Sequence, residues 1–167
     1  ITSSWRRLRD MALAWAVPGQ ALYNNADLLA AVRSGMDWME ANRYSAGVTN
    51  KYDNWWDWEI GAPLESGNLL VLLYERLTPD EIAKHAAAID RFVGDPRIMI
   101  TSTVSTGANR VWKCKGAALR AIVARDAAKL KLASDALGPV FAYVASGDGF
   151  YEDGSFIQHT RHPYTGG

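Results

Sequence analysis

The stretch Asn54-Trp55-Trp56-Asp57-Trp58-Glu59-Ile60-Gly61, with Pro63 close behind it, decides how the chain is read. Three of the seven tryptophans fall in it, together with two carboxylates and one carboxamide. Pro63 suits the first turn of a helix in which Leu69, Leu70, Leu73 and Leu77 face inward. Trp58, a helical turn after Trp55, is expected in the core. Trp55 and Trp56 are adjacent, so their side chains diverge on any backbone and both cannot easily enter one core. A wide aromatic face beside hydrogen-bonding groups suits a sugar ring, whose C–H face stacks on indole while its hydroxyls need fixed partners. The competing reading is structural, since tryptophan is mostly a core residue.

Working outward, the same helical rhythm recurs. From Ser4, read as an N-cap, Leu8, Met11, Ala12 and Trp15 repeat at helical spacing until Pro18-Gly19. Asp27 is read as the cap of a second helix, with Leu28, Leu29, Val32, Met36 and Met39 on one side. Residues 42–53 carry no period and are expected to be a loop that delivers the aromatic stretch to a surface. The third helix is expected to run to Thr78, where Thr78-Pro79-Asp80-Glu81 has the residue pattern of a capping box. Ile82, Ala86, Ile89 and Phe92 then supply the buried side of a fourth helix, closed by Gly94-Asp95-Pro96. Arg110 to Ala124 reads as a further helix, buried through Val111, Leu119, Ile122 and Val123. Asp126 to Ala145 continues through Leu130, Leu137, Phe141 and Val144, with Gly138-Pro139 expected to kink or split it. Gly147-Asp148-Gly149 and Asp153-Gly154 are turn signals. The expected fold is all-α, a single segment of helical hairpins over residues 1–167. The loops before Pro63, before Arg110 and after Gly149 are expected to share one face.

Composition bounds the function. At 167 residues and 49% hydrophobic, the chain can bury a substantial core. Lys plus Arg equals Asp plus Glu at 18 each, so no global field favours nucleic acid or a membrane. A local basic patch through Arg110, Lys113, Lys115 and Arg120, with Arg161 and His162 near the end, is a candidate for a polyanionic partner; its plain reading is a solvated helix face. Apolar runs are short and the opening Ile1-Thr2-Ser3-Ser4-Trp5-Arg6-Arg7 lacks a signal-peptide core, so the chain reads as beginning inside a larger protein. One cysteine, Cys114, excludes an internal disulfide and a cysteine metal cluster.

The generic catalytic motifs are missing: there is no Gly-rich phosphate loop, no His-Glu-x-x-His and no Gly-x-Ser-x-Gly. His159 and His162 lie three apart without a third ligand nearby, so neither metal nor cofactor is expected. Asp57 and Glu59, at alternate spacing, point apart rather than across a glycosidic bond. What remains is Asn109 in Gly107-Ala108-Asn109-Arg110, His159 in Asp153-Gly154-Ser155-Phe156-Ile157-Gln158-His159, and Tyr164 in Pro163-Tyr164-Thr165-Gly166-Gly167. Such a set lacks an ordinary nucleophile but suits proton transfer: an imidazole titrates near neutrality, and an amide can donate to a carboxylate whose charge grows as the neighbouring carbon is deprotonated. Taken singly, Asn109 is more simply a cap or turn residue, and a lone histidine more often packs than catalyses.

Asn54 to Gly61 with Pro63 resembles the signature of the polysaccharide lyases that include hyaluronate lyase, chondroitin AC lyase and xanthan lyase. The resemblance continues, in order, through Phe92-Val93-Gly94-Asp95-Pro96, Gly107-Ala108-Asn109-Arg110-Val111, Ser146-Gly147-Asp148-Gly149-Phe150-Tyr151, residues 153–159 and Pro163-Tyr164-Thr165-Gly166. It is strong over the last two thirds and limited to helical character in the first. It implies part of an incomplete α/α toroid, normally followed by β-sandwich domains, and a secreted enzyme whose partner elements lie in the remainder of the same polypeptide. It also implies β-elimination on an anionic, uronate-containing polysaccharide, hyaluronan or chondroitin first and xanthan as the alternative. Carried over, Asn109 matches the residue that neutralises the uronate carboxylate, and His159 the one that takes or helps take the C5 proton. Trp55 and Trp56, with Asn54 beside them, match an aromatic patch that stacks on sugar rings. The family's catalytic tyrosine is the second of Tyr-Thr-Gly-x-Tyr-Gly; Tyr164 is the first, so these residues are expected to hold half a site. The residues 101–106 also lack an aromatic that some members carry before the asparagine. Two other classes stand beside this reading: a non-catalytic carbohydrate-binding helical module, and a purely structural helical scaffold.

Overall fold

A computed structural model describes residues 1–159 and 161–164. Six helices form two rows. α1 (Thr2–Ala16), α3 (Ala62–Leu72) and α5 (Gly107–Val123) pack side by side with α3 in the middle. α2 (Ala26–Asn42) lies on α1, α4 (Pro79–Val93) across α3 and α5, and α6 (Ala127–Leu137) on α5. The expected helical hairpins are therefore present. A small antiparallel sheet adds to them, ordered β1 (Gly149–Phe150), β2 (Phe156–Gln158) and β3 (His162–Pro163). Its register pairs Phe150 with Phe156 and Gln158 with His162. Among the described residues no helix is long and apolar enough to cross a membrane.

The two rows are joined by different physics. In the inner row backbones approach closely: a Cβ on Gly67 of α3 would stand 2.9 Å from the Leu119 side chain of α5. In the outer row the links are ionic. Arg33 of α2 meets Glu81 of α4 at 2.5 Å, and Asp90 of α4 meets Lys129 of α6 at 2.6 Å; Asp90 also reaches across to Arg120 of α5 at 2.5 Å. Between the rows lies an aromatic core. Trp58 and Phe92, with ring centroids 5.0 Å apart, both pack on Tyr44, and Trp5 meets Tyr44 edge-on at 6.2 Å. Tyr44 belongs to the expected loop, yet it is buried and donates its hydroxyl to the Trp58 carbonyl at 3.2 Å. Burial first, and the charge of Glu59 second, raise its phenol pKa well above the usual value.

Several boundaries differ from the sequence reading. Ser4 is not an N-cap: its amide and that of Trp5 already bond to the Ile1 carbonyl, so α1 is under way at Thr2. Asn25 rather than Asp27 caps α2, accepting from Leu28 N–H at 2.8 Å, while Asp27 sits in the first turn where its charge suits the helix dipole. α3 ends at Leu72, and a 3₁₀ turn over Tyr74–Arg76 intervenes before Thr78. The capping box at Thr78 forms as expected, with Glu81 N–H on the Thr78 hydroxyl and Thr78 N–H on the Glu81 carboxylate. α5 starts at Gly107 and buries Lys113, Cys114, Ala117, Ala121 and Val123; Ile122 is 56% exposed. The apolar period misleads there because a charged residue belongs to the core. α6 stops at Leu137, with Gly138–Phe141 a 3₁₀ turn, so the long helix splits at Pro139. It buries Ala133 and Ala136, whereas Leu130 and Phe141 are exposed.

Candidate active site

Helical backbone runs without a break from Trp55 to Leu72, and its second turn, Asp57–Gly61, is a π turn. Asn54 caps this helix: its Oδ1 accepts from Trp56 N–H at 2.9 Å. The helix therefore begins within the stretch that sequence reading set on a loop. The wider π turn places Trp58, Glu59, Ile60 and Gly61 all in the interior, which an amphipathic α-helix would not do. Trp58 is fully buried, as expected, and donates its indole N–H to the Tyr52 carbonyl at 2.8 Å. Trp55 and Trp56 diverge, also as expected. Trp55 is 37% exposed and faces a cleft. Trp56 is half-buried, edge-on to Trp112 at 6.1 Å, with its ring against Gly61.

The cleft has a volume of about 250 Å³. Trp55 and Glu59 form one wall, Asn109 and Thr106 stand at the start of α5, and Met99, Thr101, Thr103, Val104 and Ser105 close it. That closing loop is stapled down by Arg110, whose guanidinium donates to the Ser105 carbonyl at 2.6 Å and to the Ala136 carbonyl at 3.2 Å. Asn109 is the third residue of α5, so its carboxamide sits at the positive end of the helix dipole, where an anion is favoured.

The residue before His159 is anchored at the same helix end. Gln158 is buried and its Oε1 accepts from Ala108 N–H at 2.8 Å, while its Nε2 donates to Asp148 Oδ2 at 2.8 Å. Thr106 donates to the same oxygen of Asp148 at 2.7 Å. The contact needs Gly107, whose backbone has φ +49° and where a Cβ would stand 2.2 Å from Gln158 Oε1. So the residue before His159 is bonded to the residue before Asn109. His159 occupies the turn between β2 and β3 with φ +55°, a conformation uncommon outside glycine and enriched at functional sites. Its ring lies 6.3 Å from that of His162 and 6.4 Å from that of Tyr164. Thr165, Gly166 and Gly167 of the last motif lie outside the described residues.

Other sequence candidates resolve differently. Glu59 is fully buried and paired with Lys113 Nζ at 2.7 Å, so it is no half of a glycosidase pair with Asp57. The basic patch does not form, because Lys113 is interior, Arg110 is spent on carbonyl groups and Arg120 pairs with Asp90 and Asp126. Among the described residues no group of three His, Cys, Asp or Glu could hold a metal ion. The burial of Lys113 had no sequence signal beyond a lysine on an otherwise apolar face. Gln158 was quoted within a motif, and its inward alternation in a short strand was the available sign.

Comparison with known proteins identifies the family of the fold. Residues 1–167 match the polysaccharide lyase family 8, N-terminal alpha-helical domain. A xanthan lyase of Bacillus sp. (strain GL1) is 39% identical over 169 residues, which is 100% of this chain and 17% of the relative. A hyaluronate lyase of Thermasporomyces composti is 39% identical over 166 residues, 99% of this chain and 21% of the relative. The chondroitin AC lyase of Streptomyces coelicolor A3, solved in complex with chondroitin sulphate, superposes with a TM-score of 0.92 at 42% identity, over 99% of this chain and 22% of that one. The chain thus spans about a fifth of the length of these relatives, and the match extends through the first third, where no motif was legible.

Proposed function

Because the chain belongs to polysaccharide lyase family 8, as its N-terminal α-helical domain, we propose that it supplies the first half of an active site that cleaves a uronate-containing polysaccharide by β-elimination. Trp55 stacks on a sugar ring in the cleft. Asn109, at the positive end of α5, donates hydrogen bonds to the uronate carboxylate and so stabilises the charge that spreads onto it when C5 loses its proton. The C5–H bond breaks with its proton passing to His159, or to a group that His159 orients. The freed electron pair forms the C4–C5 double bond, the C4–O bond breaks, and the departing oxygen takes a proton. No redox change occurs, so no cofactor is called for. The observation that supports this reading is the bond from Ala108 N–H to Gln158 Oε1, which ties the residue before His159 to the residue before Asn109.

Hyaluronan and chondroitin are the favoured substrates and pyruvylated xanthan the alternative, following the range of relatives. The test is to incubate the full polypeptide with each and follow ultraviolet absorbance of the unsaturated uronate end. Asn109→Ala is expected to lose kcat by far more than it raises KM, because the charge it meets develops in the transition state. Binding without absorbance would make this a carbohydrate-binding module. Equal loss of kcat and affinity in a folded Asn109→Ala protein would refute the role given to the amide.

A further inference from the structure

Glu59 takes no part in the chemistry just described, yet its carboxylate ties together the elements that carry the cleft. Oε2 accepts from Lys113 Nζ at 2.7 Å and from Ile100 N–H at 3.0 Å. Lys113 lies one turn beyond Asn109 on the same side of α5. Ile100 lies between Met99 and Thr101, both of which line the cleft, and Glu59 itself borders the cleft beside Trp55. One oxygen atom therefore joins the turn bearing Trp55, the helix bearing Asn109 and the loop that closes the space between them. Stability alone is a poor reason for this arrangement. Both side chains are buried, and a buried ion pair can commonly be exchanged for apolar residues of similar volume without loss. Oε1 is also buried and has no hydrogen-bond partner among the described residues, which makes the pair costlier still.

We propose that Glu59 is a positioning residue: its carboxylate, neutralised by Lys113, holds the loop at Ile100 and α5 at a fixed distance from Trp55, so that the cleft keeps the width a sugar ring requires. The charge balance serves the same end, since an unpaired carboxylate under the cleft would repel an anionic sugar. The role rests on the reading of the site given above, and the experiment separates the two.

In the full polypeptide, Glu59→Leu/Lys113→Met replaces the pair with apolar groups of similar size and removes the acceptor for Ile100 N–H. Glu59→Gln/Lys113→Met also removes both charges but keeps that acceptor. The expected result is a near-native Tm for both, a fall in kcat/KM of at least about tenfold for the Leu/Met protein, and kcat/KM within about threefold of the parent for the Gln/Met protein. A purely structural pair predicts that Tm and kcat/KM recover together in both, and native kcat/KM in the Leu/Met protein would overturn the proposal. Should the Leu/Met protein not fold, hydrogen exchange at the Ile100 amide of the Gln/Met protein decides. Protection and activity kept together, or lost together, support the tether; either one kept without the other overturns it. If the parent yields no unsaturated product from any of the three polysaccharides, the elimination reading fails by itself. The same variants are then scored by polysaccharide affinity in place of kcat/KM.

Discussion

Replacing Gln158 with Leu should release the sheet from α5 while leaving the helical core intact. Leu fills nearly the same space, but the part-buried Ala108 N–H loses its acceptor and Asp148 loses one donor while keeping the Thr106 hydroxyl. Stranding that donor costs about 1–3 kcal/mol, and losing one bond to a carboxylate adds roughly another 1 kcal/mol, for a total of about 2–4 kcal/mol. At about 1.4 kcal/mol per decade, local opening of the sheet should rise about 30- to 900-fold. Hydrogen exchange reads this directly at Tyr151 and Tyr164, whose amides bond to Ser155 and Phe156 carbonyls at 2.9 Å. The Leu73 amide, bonded to the Leu69 carbonyl within the core, should be unaffected. In the full polypeptide, turnover should fall more than polysaccharide affinity, because His159 is displaced and Trp55 is not. Unchanged exchange at Tyr151 and Tyr164 would refute the reasoning. Equal loosening at Leu73 would refute it as well, since Gln158 would then support the whole fold.

Trp55→Ala should leave Tm nearly unchanged, because the ring is partly exposed, and should weaken polysaccharide binding about tenfold or shift the product sizes. A large fall in Tm with an unaltered product pattern would place Trp55 in the core instead. His85, buried on α4 with Trp5 edge-on at 5.9 Å, gives a pH dependence. Burial, then the charge of Lys84, lowers its pKa below the usual imidazole value, against the opposing charges of Glu40, Asp37 and Glu81. The unfolded chain takes up this proton at about pH 6.5 and the folded chain only at lower pH. The contribution is therefore complete above that pH and is lost as pH falls below it toward the folded-state value. Urea midpoints should drop more on acidification in the parent than in His85→Leu, and equal drops would mean that His85 titrates alike in both states.

What was legible in the sequence was local. The capping box at Thr78 needs four consecutive residues, and the divergence of Trp55 from Trp56 needs only two adjacent ones. The shared face of three loops followed from hairpin rhythm, and it brought Asn109 near Trp55 correctly. What was not legible depends on distant partners. Lys113 is interior only because Glu59 lies opposite it, 54 positions earlier, so the buried face of α5 was misjudged. Tyr44 looked like a loop residue because nothing nearby shows the ring stack of Trp58 and Phe92 that receives it. Gln158 docks 50 positions from Ala108 and carries no hydrophobic signature.

The π turn also sets how this surface can be altered. A regular α-helix advances about 100° per residue and a π turn only about 80°, so the five residues from Asp57 to Gly61 cover roughly the angle that four would cover in an ordinary coil. Removing one of them would restore the regular coil and leave Trp55 at nearly its present bearing, with Pro63 and the helix beyond it unmoved. The extra residue is absorbed locally, so length in these five positions can change without turning Trp55 away from the groove.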